Sequence, residues 1–221
     1  MIHLELHVQA HDNHIVLLGN IVSKQNLLKY YADGTASLTL DVITKRKWRD
    51  QQGQWQESSS YFNVTVLGEC AEQLAQGANA GQGIYIRAAI RQRTNKQGVN
   101  NDTLEVLQAY LTKKSTALNW NQAHVCGGLV SQSGLVQTIN GIDLITVVID
   151  IAEQADKSIP IEVKLKGAAA KLVANQLEEL ADGQTVRLLV EGSLSGQSKK
   201  INEQFVYQYW IEGHTCLVIA D

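Results

Sequence analysis

Apolar and polar residues alternate over five stretches in the first half of the chain, about His14–Ser23, Ala36–Lys47, Ser58–Leu67, Ile84–Arg93 and Thr103–Thr112. A period of two places every second side chain on one face, so each stretch is predicted to be a half-buried strand. After the third strand, Glu69–Gln76 switches to helical spacing. The second half repeats the order, with strands predicted at about His124–Ser131, Asp143–Ala152, Ile159–Lys166, Thr185–Leu194 and Glu203–Ile219, and a helix at Ala168–Leu180 after the third.

Landmarks recur with the pattern. Gly19 and Val22-Ser23 return as Gly127 and Val130-Ser131, Asp33-Gly34 as Asn140-Gly141, and Leu67-Gly68 with Ala71 as Leu165-Lys166-Gly167 with Ala170. Five strands with a helix between the third and fourth is the order of the oligonucleotide-binding barrel, which closes its sheet and hides strand edges. The expected fold is therefore all-β with short helices, in two tandem five-stranded barrels, residues 1–115 and 116–221. The connection Ser115–Gln122 lacks Gly/Ser-rich or charged linker character, so the barrels are expected to hold a fixed relationship.

Ahead of the first barrel, Ile2, Leu4, Leu6 and Val8 alternate with polar residues and predict an additional strand. His3, His7 and His11 stand four apart, which on a helix aligns three imidazoles, but the strand period is the stronger signal and no metal site is expected. Cys70, Cys126 and Cys216 are far apart in apolar surroundings, without zinc-ligand or disulfide spacing, and are expected to be buried thiols. No run approaches the roughly 20 apolar residues needed to cross a bilayer, and the start lacks signal-peptide character, so a cytoplasmic location is expected.

Charge changes the picture by its distribution. The net charge of −3 excludes a globally basic polyanion binder. Residues 1–115 hold 12 Lys and Arg against 10 Asp and Glu, whereas residues 116–221 hold 7 against 12. The second barrel is thus the poorer polyanion binder, and a scaffold or interface role is expected for it.

Binding single strands without regard to sequence takes aromatic faces for base stacking with cations beside them. The densest such cluster is Lys45-Arg46-Lys47-Trp48-Arg49, followed by a turn through Gly53 to Trp55 and then Tyr61. Trp48 shares alternation phase with Leu38, Leu40 and Val42, which would bury it, but Thr44 and Arg46 share that phase too, so the ring is expected on a hairpin that overhangs the barrel. Tyr61 alternates opposite Phe62, Val64 and Val66 and so belongs to the polar face. Trp55 either stacks on a base or caps the turn. Arg91, Arg93 and Lys96 form a second cationic group where the fourth strand enters its loop.

His14-Ile15-Val16-Leu17-Leu18-Gly19-Asn20-Ile21, Lys29-Tyr30 before Asp33-Gly34, Trp48-Arg49-Asp50 with Gly53 and Glu57, Tyr61 with Val64 and Val66, and Gly68-Glu69-Cys70-Ala71-Glu72 follow one another in an order that resembles the bacterial single-stranded DNA-binding family. The resemblance covers roughly residues 14–112. It implies that Trp48 and Tyr61 stack on bases and that Lys29, with Tyr30 beside it, Arg91 and Arg93 lie near phosphates. It further implies sequence-independent single-stranded DNA as partner in replication, recombination or repair, no cofactor, no small-molecule substrate, no membrane, and a homodimer presenting four barrels. Three departures, the missing aromatic after Arg93, Leu67 in place of an aromatic, and a short helix, imply a smaller stacking platform.

The second half resembles the family less, through Gly127-Gly128-Leu129-Val130, Gly167 with Ala170, and Val190–Leu194. Its Phe205, Tyr207 and Tyr209 share one face of the last strand and Trp210 takes the other, available to bases or to a partner. The family's acidic tail, which recruits other proteins, has no counterpart in Leu217–Asp221. A protein-binding adaptor in replication restart or recombination is the alternative reading. A metal-dependent nuclease would need converging carboxylates, and Asp41 and Asp50 are isolated, so no catalysis is expected.

Overall fold

Each strand has one apolar face to bury, and a sheet that curls until its first strand meets its third buries all of them at once. The computed structural model describes residues 12–24, 28–50, 52–94, 100–152, 157–180, 184–201 and 204–220. The expected N-terminal strand, His3, His7, His11 and Lys96 lie outside the described residues. The chain is all-β apart from two short helices, as the alternation predicts.

The first half supplies β1 (Asp12–Lys24), β2 (Lys29–Tyr30), β3 (Ala36–Arg49), β4 (Trp55–Leu67), α1 (Gly68–Gly77), β5 (Gly83–Thr94) and β6 (Asn100–Leu111). Its sheet order is β2-β3-β4-β6-β5-β1, with β1 pairing back onto β3 to close the barrel. Pairings are antiparallel except β4 with β6, which are parallel. Inward residues such as Leu17, Leu40, Val42, Phe62, Val64 and Ile86 are buried.

The second half supplies β7 (Trp120–Gln132), β8 (Val136–Gln137), β9 (Asp143–Asp150), β10 (Pro160–Lys166), α2 (Ala168–Glu178), β11 (Val186–Ile201) and β12 (Gln204–Ala220). Here the order is β7-β11-β12-β10-β9-β8, closed by β7 on β9, with β10 and β12 parallel. The two-residue strands β2 and β8, too short to show a period, are additions to the sequence-based expectation.

The repeated landmarks have matching geometry. A Cβ on Gly19 would lie 2.2 Å from the Ile43 carbonyl oxygen, and one on Gly127 would lie 2.2 Å from that of Asp150, so both closures need bare backbone at the crossing. Just beyond, the register slips between Ile21 and Ser23 and again between Leu129 and Ser131. Val22 and Val130 are exposed at these bulges, which bend each first strand onto its third. Gly68 and Gly167, at φ 62° and 61°, turn the third long strand of each half into its helix.

The described residues group into two compact units, His14–Gln122 with Leu194–Tyr209, and Ala123–Ser193 with Trp210 onward and Asn13. The described residues Leu194–Ile201 of β11 and Gln204–Tyr209 of β12 thus group with the first barrel. The connection is also tied there: Asn20 and Thr116 exchange two hydrogen bonds of 2.9 and 2.8 Å, and the Lys45 amide donates to Asn119 Oδ1 at 3.0 Å. Cys126 and Cys216 are buried, whereas Cys70 on α1 is half-buried, a correction that follows from its place on the helix edge. Among the described residues no helix is long and apolar enough to cross a membrane.

Replacing Gly19 or Gly127 with Ala is expected to destabilise the protein by about 2 kcal/mol through forced strand separation. Gly128→Ala, whose Cβ meets open space, is expected to unfold at the wild-type midpoint in the same urea titration.

Candidate nucleic-acid interface

β3 and β4 stay in register past the barrel, from Ser37 opposite Leu67 to Arg49 opposite Trp55. From Lys45 onward every β3 residue is exposed, so the last five residues of β3 and the start of β4 form a projecting arm. Thr44 is still buried, so the core phase ends one position later than the sequence suggests. The tip is built by Asp50, which accepts hydrogen bonds from the Gln52 and Gln54 amides and from Gln56 Nε2 at 2.8–3.0 Å, while Gly53 takes φ 77°. The Gln56 amide, then the Gln54 amide, hold the Asp50 carboxyl below the ordinary range.

Residues directly opposite share a face, so the register sorts the expected contacts. Lys45, Lys47, Arg49, Trp55, Glu57 and Tyr61 lie on the outer face, and Trp48 and Arg46 on the face that continues the barrel interior beyond Thr44. Trp55 is 67% and Tyr61 63% exposed, and Trp48 is 40% exposed. The Arg49 guanidinium lies 5.0 Å from the Trp55 ring centroid and that of Arg46 5.9 Å from Trp48, pairings that orient each ring with a cation beside it.

Glu57 sits between Lys45 and Lys47 at 3.0 and 3.1 Å. Hydrogen bonds from Lys45 and then Lys47 hold its carboxyl below the ordinary range. Part of the arm's positive charge is thereby answered internally, and Arg49 carries the tip.

The remaining cations divide. On β5, Arg93 and Arg91 lie 3.4 and 4.0 Å from Glu105. Arg93 Nη1 also donates to the Tyr31 hydroxyl at 2.9 Å, and the bonds to Ser37 and then Arg93 lower that phenol. Tyr31, exposed beside a cation, is an aromatic that alternation missed because it lies in a turn rather than a strand. Lys29 and Tyr30 are on β2, opposite Ser37 and Ala36, at the far end of β3 from the arm. Roughly 40 Å of strand separates Tyr30's partner from Trp48, and the Tyr30 hydroxyl bonds to Glu72 on α1 at 3.2 Å.

In the last strand, Tyr209 is buried against Phe62 with its hydroxyl donating to the Asn63 carbonyl, so it is unavailable as a stacking face. Trp210 is covered by the Lys164 ammonium 4.1 Å from its ring. Among the described residues no group of His, Cys, Asp and Glu is arranged to hold a metal.

Comparison with known proteins adds the following. Residues 12–113 match the model of the single-strand binding protein family. Single-stranded DNA-binding protein 1 of Xylella fastidiosa is 31% identical over 98 residues, covering 43% of this chain and 71% of the relative. The single-stranded DNA-binding protein of Neisseria meningitidis is 25% identical over 97 residues, and the match spans 55% of its length. Among solved structures, a deletion variant of the single-stranded DNA binding protein from Thermus aquaticus superposes with a TM-score of 0.76 at 21% identity, covering 94% of both chains. That likeness shows the fold over nearly the whole chain, including the half beyond the family match.

Glu57→Gln is expected to release Lys45 and Lys47 and tighten binding of an oligothymidine by about threefold, with a steeper dependence of affinity on salt. Titrations at two salt concentrations read both effects.

Proposed function

The chain belongs to the single-strand binding protein family, and on that premise we propose that it binds single-stranded DNA largely without regard to sequence. Bases stack on exposed aromatics while lysines and arginines neutralise phosphates. The observation that carries this reading is the outer face of the β3–β4 arm, where Trp55 and Tyr61 share one surface with Lys45, Lys47 and Arg49. Stacking of this kind needs the flat face of an unpaired base, so duplex is refused. Trp48 and Arg46 serve a strand that passes around the arm to its other face. Arg91, Arg93 and Tyr31 form a separate contact on the barrel wall, and Lys29 and Tyr30 meet the strand at the far end of β3.

Such binding suits replication, recombination or repair, and it requires no catalytic step. A homodimer, bringing four barrels together, is the assembly proposed. For the second barrel, exposed Val136, Ile139 and Ile142 near its edge strand favour contact with protein over contact with phosphate.

The test is titration of labelled oligothymidine and of duplex at two salt concentrations, with mass measured by light scattering. Strong preference for the single strand is expected, and equal affinity for duplex would overturn the reading. Tyr61→Ala is expected to weaken oligothymidine binding by about tenfold. Because Trp48 lies on the opposite face, its loss is expected to add to that of Tyr61 in the double variant.

A further inference from the structure

Strands β4 and β6 pair in parallel over Val64–Val66 and Leu104–Val106. Traced backwards from there, β4 leads through Tyr61 into its arm, and β6 leads to Asn100 and the hairpin that carries Arg91 and Arg93. The segment Leu194–Tyr209 enters at this fork. The Tyr209 amide donates to Asp102 Oδ2 at 2.9 Å, and the Tyr207 amide to Asn101 Oδ1 at 2.6 Å. Inside the fork, the Tyr209 hydroxyl donates to the Asn63 carbonyl at 3.2 Å and its ring lies 6.4 Å from that of Phe62.

Phe205, Tyr207 and Tyr209 follow one another at a spacing of two on an extended strand and so share a face. Tyr209 is 3% exposed, Tyr207 is half-buried and Phe205 is 62% exposed, so this aromatic ladder starts in the barrel core and climbs into solvent. On β11, Gly192 lies against Gly213, and a Cβ on Gly196 would sit 2.6 Å from the Tyr209 ring. Gly196 and Lys200 stand four apart on β11, so Lys200 shares the face that meets the Tyr209 ring.

We propose that the outer part of the β11–β12 hairpin is a further contact element for single-stranded DNA, in which Tyr207 and Phe205 stack on successive bases and Lys200 meets the adjoining phosphate. The inference rests on the single-strand reading of the first barrel and deepens it. Asp41 and Asp102 border the ladder, which keeps phosphates away from its inner end. Their oxygens already accept from Asn63 Nδ2 and Ser23 Oγ, and from the Tyr209 amide and Gln92 Nε2, so neither competes for a base. Bases therefore lie against the rings, and the backbone runs outside them toward the cations. Burial and then the Asp41 carboxylate raise the Tyr207 phenol.

The test compares the full wild-type chain with a Phe205→Ala, Tyr207→Leu double variant in oligothymidine titrations, with thermal unfolding as a check on Tyr209 packing. The variant is expected to bind about tenfold or more weakly with its unfolding unchanged. In parallel, photo-cross-linking of wild type to a 5-iodouracil oligonucleotide is expected to label Tyr207 or Phe205. Wild-type binding with no cross-link in Leu194–Tyr209 overturns the proposal, whatever the variant's affinity. Absence of any wild-type binding to oligothymidine would instead overturn the single-strand reading, and this inference with it.

Discussion

A barrel closes only where its first strand crosses its third closely enough for backbone to touch backbone, and the rest of this molecule depends on that approach. Gly19 against Ile43 and Gly127 against Asp150 make the same crossing at the same distance. One bulge beyond each glycine then turns the strand through the bend. Once these crossings hold, the alternating residues have a single inside, and in the first barrel the end of β3, paired with the start of β4, runs on past the core as a projecting arm.

The arm shows why a chain of net charge −3 suits a polyanion. Its two lysines are paired with Glu57 and its tip arginine lies over the Trp55 ring, so part of the positive charge is answered internally while Arg46 and Arg49 keep theirs beside aromatic rings. Exchange of an exposed carboxylate partner for phosphates in solution costs little, because exposed ion pairs are weak. Local placement of few charges beside aromatic faces replaces a large global field.

The two barrels are unequal in what they present. The first has an exposed aromatic and basic face, whereas β12 carries Tyr207 and Tyr209, which group with the first unit and bond to Asn101, Asp102 and Asn63. Tyr209 is buried beside Phe62, with ring centroids 6.4 Å apart.

The repeat, the order of strands along the chain, the two helices and the exposure of Trp48 and Tyr61 were legible in the sequence, because period-two alternation and glycine punctuation are local properties, whereas Trp55, read as a turn residue, opens β4 instead. Register was beyond the sequence. That Trp55 and Tyr61 share a face with Lys45, Lys47 and Arg49 rather than with Trp48 depends on how many residues the Asp50 turn consumes, and one residue more or less reverses every side chain of β4 relative to β3. The pairing of Arg93 with Tyr31 and Glu105, and of Glu57 with two lysines, joins strands whose separation in space cannot be read from spacing along the chain. Tyr209, indistinguishable from Phe205 and Tyr207 by pattern, was sent into the core of the first barrel by tertiary structure alone. There, beside the parallel pairing of β4 and β6, its ring packs near Phe62 and its hydroxyl donates to the carbonyl of Asn63.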